Sequence, residues 1–119
     1  MSESTLTQGC IFCEIVNHRA PAEIIYQDEQ ITAFWDINRQ VPVHILVVPN
    51  LHYDSLDAVP SGLENLLGHM ILVAKNIAKH FHIQEAYRIF INTGASAGQT
   101  IFHLHLHLVG GRKLGRPYE

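Results

Sequence analysis

The sequence predicts an α+β domain: an antiparallel sheet of about five strands with one main helix packed on it. Three stretches carry that prediction. His103-Leu104-His105-Leu106-His107-Leu108-Val109 alternates imidazole and aliphatic side chains, and in a strand that period of two sends one set to each face. Val43-His44-Ile45-Leu46-Val47-Val48 is nearly continuous in β-branched and aliphatic residues, the pattern of a central strand covered on both sides. Leu63, Leu66, Leu67, Met70, Ile71, Ala74, Ile77, Ala78 and Phe81 recur at helical spacing, which makes one long amphipathic helix whose apolar stripe covers the sheet.

In chain order, residues 1–9 read as a flexible N-terminal tail and residues 10–119 as a single domain. Residues 10–17 place Ile11, Phe12 and Ile15 on one side of a short helix that Asn17 ends. After a turn at Pro21, Ile24-Ile25-Tyr26 is a strand, residues 27–30 its turn, and residues 31–35 the returning strand. Residues 36–42 form a loop closed by Pro42, and Pro49 stops the central strand that follows. Ser61-Gly62-Leu63-Glu64 has the spacing of a capping box, in which serine and glutamate each satisfy an amide of the first turn. The main helix is therefore expected over residues 62–81. Residues 87–91 form the fourth strand, and a glycine-rich connection leads into the fifth over residues 101–109. Strands that follow one another in this way predict a meander.

The composition excludes several classes of function. A chain of 119 residues, 47% hydrophobic and 16% charged, is large enough for a core of its own and too apolar to be disordered. A net charge of −3 with eight Lys and Arg offers no broad basic face for nucleic acid. No run approaches the ~20 apolar residues that span a bilayer. The polar, acidic start Met1-Ser2-Glu3-Ser4-Thr5 has neither the basic nor the apolar region of a signal peptide, so a cytoplasmic protein is expected. Two cysteines are too few for a disulfide framework. Nine histidines are the one anomaly.

Three of them stand in the alternating run, where a strand would set them on one face, roughly 6.5–7 Å apart. That suits separate roles along an extended substrate better than three ligands closing on one ion, although neutral imidazole is a common metal ligand. The connection Asn92-Thr93-Gly94-Ala95-Ser96-Ala97-Gly98-Gln99-Thr100 feeds directly into this row. Gly94 and Gly98 permit φ above zero, so consecutive amides could face one concavity and hold an anion; the plain alternative is an ordinary turn. An anion cradle beside imidazoles points to attack on phosphorus, for which neutral imidazole is a competent nucleophile. His105, flanked on both sides, is the natural attacker. His107 would bond the phosphoryl oxygens or pass a proton to the leaving group. No acidic cluster for Mg²⁺ stands near the row, which favours a metal-independent route through a covalent histidine. Asp36 could accept hydrogen bonds from a ribose diol, or be a solvent-exposed turn aspartate. Cys10-x-x-Cys13 needs two further ligands to hold zinc, and His52 and His103 are available; otherwise the pair is two small buried residues.

The run from His103 to Val109 resembles the defining signature of the histidine triad (HIT) nucleotide-binding family. Ile11-Phe12, Phe34, Asp36-Ile37, Pro42-x-His44, Leu46-Val47-Val48-Pro49, Asn92, Gly98-Gln99-Thr100 and Gly110-Gly111-Arg112 resemble its Hint-like branch. The resemblance implies a HIT-like fold whose sheet continues across a homodimer. It also implies a purine nucleoside phosphoramidase, a hydrolase and nucleotidyl transferase that cleaves the P–N bond of substrates such as AMP-amines or AMP-lysine through a covalent nucleotidyl-histidine. Dinucleoside polyphosphate hydrolysis and a non-catalytic nucleotide-binding scaffold are the alternatives. By the same resemblance His105 is the nucleophile and His107 contacts phosphate and leaving group, with His103 and His44 completing the catalytic set. Asn92, Gly98, Gln99 and Thr100 would line the phosphate pocket, Asp36 would hold the ribose, and Ile11, Phe12, Ile15, Phe34, Ile37 and Leu46 would surround a purine. The implied partners are AMP, GMP and their phosphoramidates, without nucleic acid or membrane. The chemistry needs no cofactor; Cys10, Cys13, His52 and His103 match the structural zinc ligands of bacterial members. Two positions depart from the pattern. Thr100 stands where a serine is common, and Tyr118 is the only aromatic after Phe102, where animal Hint enzymes carry a tryptophan.

Overall fold

Each element forms where its sequence can bury one face, and the order is α1 (Ile11–Val16), β1 (Ile24–Gln27), β2 (Ile31–Trp35), β3 (Val43–Pro49), α2 (Glu64–His80), β4 (Tyr87–Phe90) and β5 (Leu106–Gly110). The computed structural model describes residues 9–39 and 41–115. The predicted tail, apart from Gly9, and Tyr118 therefore lie outside the described residues. All strand pairings are antiparallel, and the sheet order is β1-β2-β3-β5-β4. The expected meander is thus broken once: the chain leaves β3 through α2, lays down β4 at the edge, and returns to insert β5 between them. The residues explain the choice. β5 is buried except for a half-exposed His107, whereas β4 is half-buried to exposed throughout, so the better-covered sequence takes the interior place.

Strand parity divides the molecule into two apolar layers. Ile31 and Ala33 of β2, Val43, Ile45 and Val47 of β3, and Leu106 and Leu108 of β5 face α2 and pack on Leu66, Met70, Val73, Ala74, Ile77 and Ala78. Phe34, Leu46 and Val48 point the other way and pack on Phe12, Ile15 and Val16 of α1. All seven residues of β3 are buried, because this central strand is covered on both faces and paired on both edges. Pro49 is its last residue and pairs opposite Ile31. His44 and His107 share the parity of Leu46, so the polar side chains of the sheet fall on the α1 side.

α2 begins at Glu64, with Leu63 as its N-cap and no side-chain capping bond. The expected Ser61–Glu64 box does not form: Gly62 has φ +98°, which turns the chain before the helix rather than into it. Ile71, expected in the buried stripe, is 47% exposed, and Val73 is 5% exposed in its stead. At ~100° per residue, position 73 continues the stripe of 66, 70 and 77 while 71 falls on its flank. The turn between β1 and β2 is closed by Asp28, whose Oδ1 accepts from the amides of Gln30 (2.8 Å) and Ile31 (2.9 Å). Its Oδ2 takes Tyr26 Oη–H at 2.7 Å and meets His69 Nε2 of α2 at 2.6 Å. That carboxylate fastens the first hairpin to the main helix. No helix among the described residues is long and apolar enough to cross a membrane.

Candidate active site

The regular strand expected over residues 101–109 begins only at Leu106, and this divides the histidines by role. Leu104 N–H donates to Tyr53 O at 2.7 Å, which holds residues 103–105 against the segment after β3 and out of the sheet. His103, fully buried, turns its ring away from the row of three. Its Nε2–H donates to Pro49 O at 2.8 Å, and its Nδ1 faces Cys10 Sγ at 3.3 Å and Cys13 Sγ at 3.5 Å. The expectation of three imidazoles in one row is corrected to two, with the rings of His105 and His107 leaning to 4.8 Å between centroids. His103 serves the pair through its carbonyl, which accepts from His105 Nδ1 at 2.8 Å.

That bond fixes a tautomer. A carbonyl oxygen can only accept, so the proton of His105 sits on Nδ1 and Nε2 keeps its lone pair. Burial lowers the His105 pKa, opposed by the bond to the His103 carbonyl and by the charge of Asp36. The ring is therefore neutral at ordinary pH, as a nucleophile must be. Phe12 meets it edge-on at 5.2 Å. His107 lies flat on Phe90, 4.4 Å between centroids and 6° between planes. Burial, then the neighbouring His105 and His44, push its pKa down to about 4. Its Nδ1 lies 3.1 Å from His44 Nε2. Its Nε2 is buried with no hydrogen-bond partner among the described residues, which is costly unless a ligand supplies one.

Both rings line a cleft of about 280 Å³. Its apolar wall is Ile11, Phe12, Ile15, Phe34 and Leu46, and Asp36, Ile37 and Thr100 complete the rim. Sequence reasoning therefore brings ten of its nucleotide-site residues together here. Asp36 is not a free turn carboxylate: Oδ1 accepts from Asn38 N at 2.8 Å and Oδ2 lies 3.3 Å from His44 Nε2. Asn92, Gly98 and Gln99 do not line the cleft. The expected concavity of amides is closed by its own turn, since the N–H groups of Ala97 and Gln99 donate to Gly94 O and that of Gly98 to Ala95 O, at 3.0–3.1 Å. Gly98 adopts φ +98°, and a Cβ there would stand 3.4 Å from the Asn92 side-chain nitrogen. The Gln99 side chain, 3% exposed, accepts from Gly94 N at 2.8 Å and donates to Asp54 O at 2.7 Å and Ile101 O at 3.1 Å. These residues shape the loop from behind, and Thr100 is the member that reaches the cleft.

The cysteine pair, His52 and His103 do converge, with their four donor atoms within 4.8 Å of one another. Tetrahedral zinc with Zn–S ~2.3 Å and Zn–N ~2.0–2.1 Å sets sulfur and nitrogen ligands about 3.5 Å apart. The observed contacts are 3.3 Å for Cys10 to His103, 3.3 Å for Cys13 to His52 and 3.5 Å for Cys13 to His103. Both imidazoles present Nδ1 to the centre while Nε2 is held outside it, His103 by Pro49 O and His52 by Asp54 Oδ1 at 2.7 Å, the outer support that ligating histidines use. Burial pushes the Cys13 thiol up to about 12, so a bound cation is what would let it ionise. The donor set fits zinc. Sequence reasoning missed Asp54, which braces both His52 and Gln99, and Phe90, the stacking floor of His107. A meander already sets β4 beside β5, but the pairing of Phe90 with His107 across them needs the register, which no residue of the connecting loop announces.

A HIT domain profile matches residues 17–114. The chain is 42% identical to the purine nucleoside phosphoramidase of Escherichia coli K12 over 111 residues, 92% of this chain and 93% of that one. Among solved structures, a HIT family hydrolase from Legionella pneumophila superposes with TM-score 0.89 at 35% identity, covering 92% of this chain and 98% of that one. A histidine triad protein from Clostridium difficile gives 0.88 at 40% identity, with 92% and 96% covered. Fold, histidine run and near-full-length identity agree: the chain belongs to the HIT family.

Proposed function

We propose that the protein is a purine nucleoside phosphoramidase, which hydrolyses the P–N bond of nucleoside 5′-phosphoramidates such as AMP-amines. The observation that carries this reading is the lone pair left on His105 Nε2 by the bond from Nδ1 to the His103 carbonyl, on a ring that lines the cleft. The name of the Escherichia coli relative supports the substrate class. A purine packs between Phe12, Ile15, Phe34 and Leu46, the ribose diol donates to Asp36, and the phosphate meets Thr100 and His107.

In the first step His105 Nε2 attacks phosphorus, the new N–P bond forms, and the amine leaves with the electrons of the old one and takes up a proton. In the second, water attacks phosphorus and gives up a proton, and the N–P bond to His105 breaks with its electrons returning to Nε2; that proton balances the one the amine carried away. His107 Nε2 faces the oxygens throughout. Cys10, Cys13, His52 and His103 would hold a zinc ion, which supplies a cross-link between α1 and the segments around β3 and β5. The partner is a second copy. β4 is one of the two edge strands, β1 being the other, and Phe90 on it is 36% exposed, so pairing along β4 would extend the sheet and cover that edge.

Steady-state turnover of an adenosine 5′-phosphoramidate tests the reading. His105→Ala should retain AMP binding and lose turnover, while the wild type, quenched during turnover, should gain the mass of one nucleotidyl group. Wild-type rates in the His105→Ala protein remove the nucleophile. Binding without turnover by the wild type leaves a nucleotide-binding scaffold, and faster cleavage of dinucleoside polyphosphates moves the activity to that class.

A further inference from the structure

His105 and His107 have their protons placed by different neighbours, and the neighbour of His107 is itself governed by Asp36. Among the described residues, the Nε2 of His44 lies 3.3 Å from Asp36 Oδ2 and 3.1 Å from His107 Nδ1. An ionised carboxylate has no proton to give. If His44 Nε2 carried a lone pair it would lie against the carboxylate oxygen in a site where His44 is 6% exposed, and low dielectric makes such an opposition costly. His44 Nε2 therefore carries a proton, and it is shared between the carboxylate and His107 Nδ1. His107 Nδ1 is then the acceptor, which leaves the single proton of neutral His107 on Nε2. That nitrogen is the buried atom without a partner.

We propose that Asp36 is a positioning residue: acting through His44, it sets His107 in the Nε2–H tautomer and so makes its orphaned nitrogen a hydrogen-bond donor aimed at the phosphoryl group. His105 and His107, two residues apart, hold opposite tautomers, one presenting a lone pair and the other a proton. Phe90, stacked on His107, keeps that ring in the plane where both of its nitrogens are aligned. The role is distinct from sugar binding. It deepens the proposed reaction, on which its kinetic test rests, while the tautomer itself stands without any substrate.

The experiment is long-range ¹H–¹⁵N correlation of the full chain labelled in histidine, in wild type and Asp36→Asn, at neutral pH. In the variant the Asn38 amide still needs the Oδ1 acceptor it has now at 2.8 Å, so the new NH₂ takes the place of Oδ2 and donates to His44 Nε2. His44 becomes an acceptor and the proton of His107 moves to Nδ1. The wild type should show His107 protonated at Nε2 and the variant at Nδ1, with the tautomer of His105 unchanged in both. A wild-type His107 protonated at Nδ1, or one that keeps its Nε2 proton in Asp36→Asn, overturns the proposal. The same spectra report whether the variant folds.

The kinetic arm compares the adenosine phosphoramidate with its 2′,3′-dideoxy analogue. Losing a preorganised donor costs about a hundredfold in kcat, and Asp36→Asn should show that loss on both substrates. If Asp36 acted only on the diol, variant and wild type would turn over the dideoxy substrate equally, which refutes the positioning role. A wild type inactive on both compounds would sink the proposed reaction, and the spectra would still decide the tautomer.

Discussion

Phe12→Ala isolates what holds the site together. α1 has six residues, far below the ~12–15 at which an isolated helix is marginal in water, so its place depends on the side chains it buries. Phe12 is 4% exposed and meets Phe34 at 5.3 Å, His105 at 5.2 Å and His103 at 5.9 Å, all edge-on. Truncating a buried phenylalanine costs about 3–5 kcal/mol, part of it the edge contacts at about 0.5–1.5 kcal/mol each. For 119 residues, at about 2.1 cal/mol/K per residue, the unfolding entropy is about 250 cal/mol/K. A loss of about 4 kcal/mol then lowers Tm by about 16 °C. Circular dichroism at 222 nm through a thermal ramp reads this directly. AMP affinity, measured on the same protein below its transition, should fall as well, since Phe12 is also the cleft wall. A Tm shift under about 4 °C with unchanged AMP affinity would refute the claim that this ring ties helix, cleft wall and His105 into one unit.

Three further outcomes follow from the same contacts. Protein purified without added metal should carry one zinc per chain by elemental analysis, and Cys10→Ser should lower both the zinc content and Tm; metal-free protein with an unchanged Tm would reduce the cysteines to packing residues. His107 should titrate near 4 rather than at the ordinary ~6.5 when followed by NMR. Because the unfolded imidazole takes a proton that the folded one refuses, this residue also withdraws stability as pH falls below about 6.5; titration at 6 or above contradicts the burial described. At Asp28, burial pushes the carboxyl up, but hydrogen bonds from His69, Tyr26, Gln30 and Ile31 outweigh it and hold the group well below the usual carboxylate range. Its contribution is present above about pH 4 and lost as pH falls through the folded value. Asp28→Asn should cost about 2 kcal/mol in urea at pH 7, and the gap should narrow under pH 4; a pH-independent gap would show that the carboxylate charge is not what fastens the hairpin to α2.

Side-chain periodicity reached the elements, and it failed wherever a backbone group decided the outcome. The parity of β3 and β5 was legible because Val, Ile and Leu alternate with His44 and His107, and a two-residue period survives any strand order. Strand order itself was not fully legible: nothing local in Tyr87-Arg88-Ile89-Phe90 says that it will lie at the edge and leave the place beside β3 to β5. The β4–β5 pair survives that error, but Phe90 was missed because the register that sets it against His107 is not written in the loop between them. The same limit explains residues 92–105. Two glycines in a loop announce freedom of φ, but whether the amides face a ligand or close on Gly94 O and Ala95 O depends on Gln99, whose side chain is pinned by Asp54 and Ile101 carbonyls. His103 is the sharpest case. Its alternation with Leu104 is indistinguishable in the sequence from that of His105 and His107, and only the bonds to Pro49 O and from Leu104 N to Tyr53 O pull it from the row. What looked like three equivalent imidazoles is therefore two rings that line the cleft and a third residue whose carbonyl holds the first of them and whose ring turns to the cysteines. Substituting His103 should for that reason disturb Cys10 and Cys13 through the lost ring, while the backbone carbonyl, which any residue keeps, still holds His105 protonated at Nδ1. A His103→Gln protein that binds less zinc yet keeps His105 protonated at Nδ1 would separate the two duties, whereas one whose His105 proton moved to Nε2 would show that the cluster around Cys10 and Cys13, and not the carbonyl alone, sets that ring.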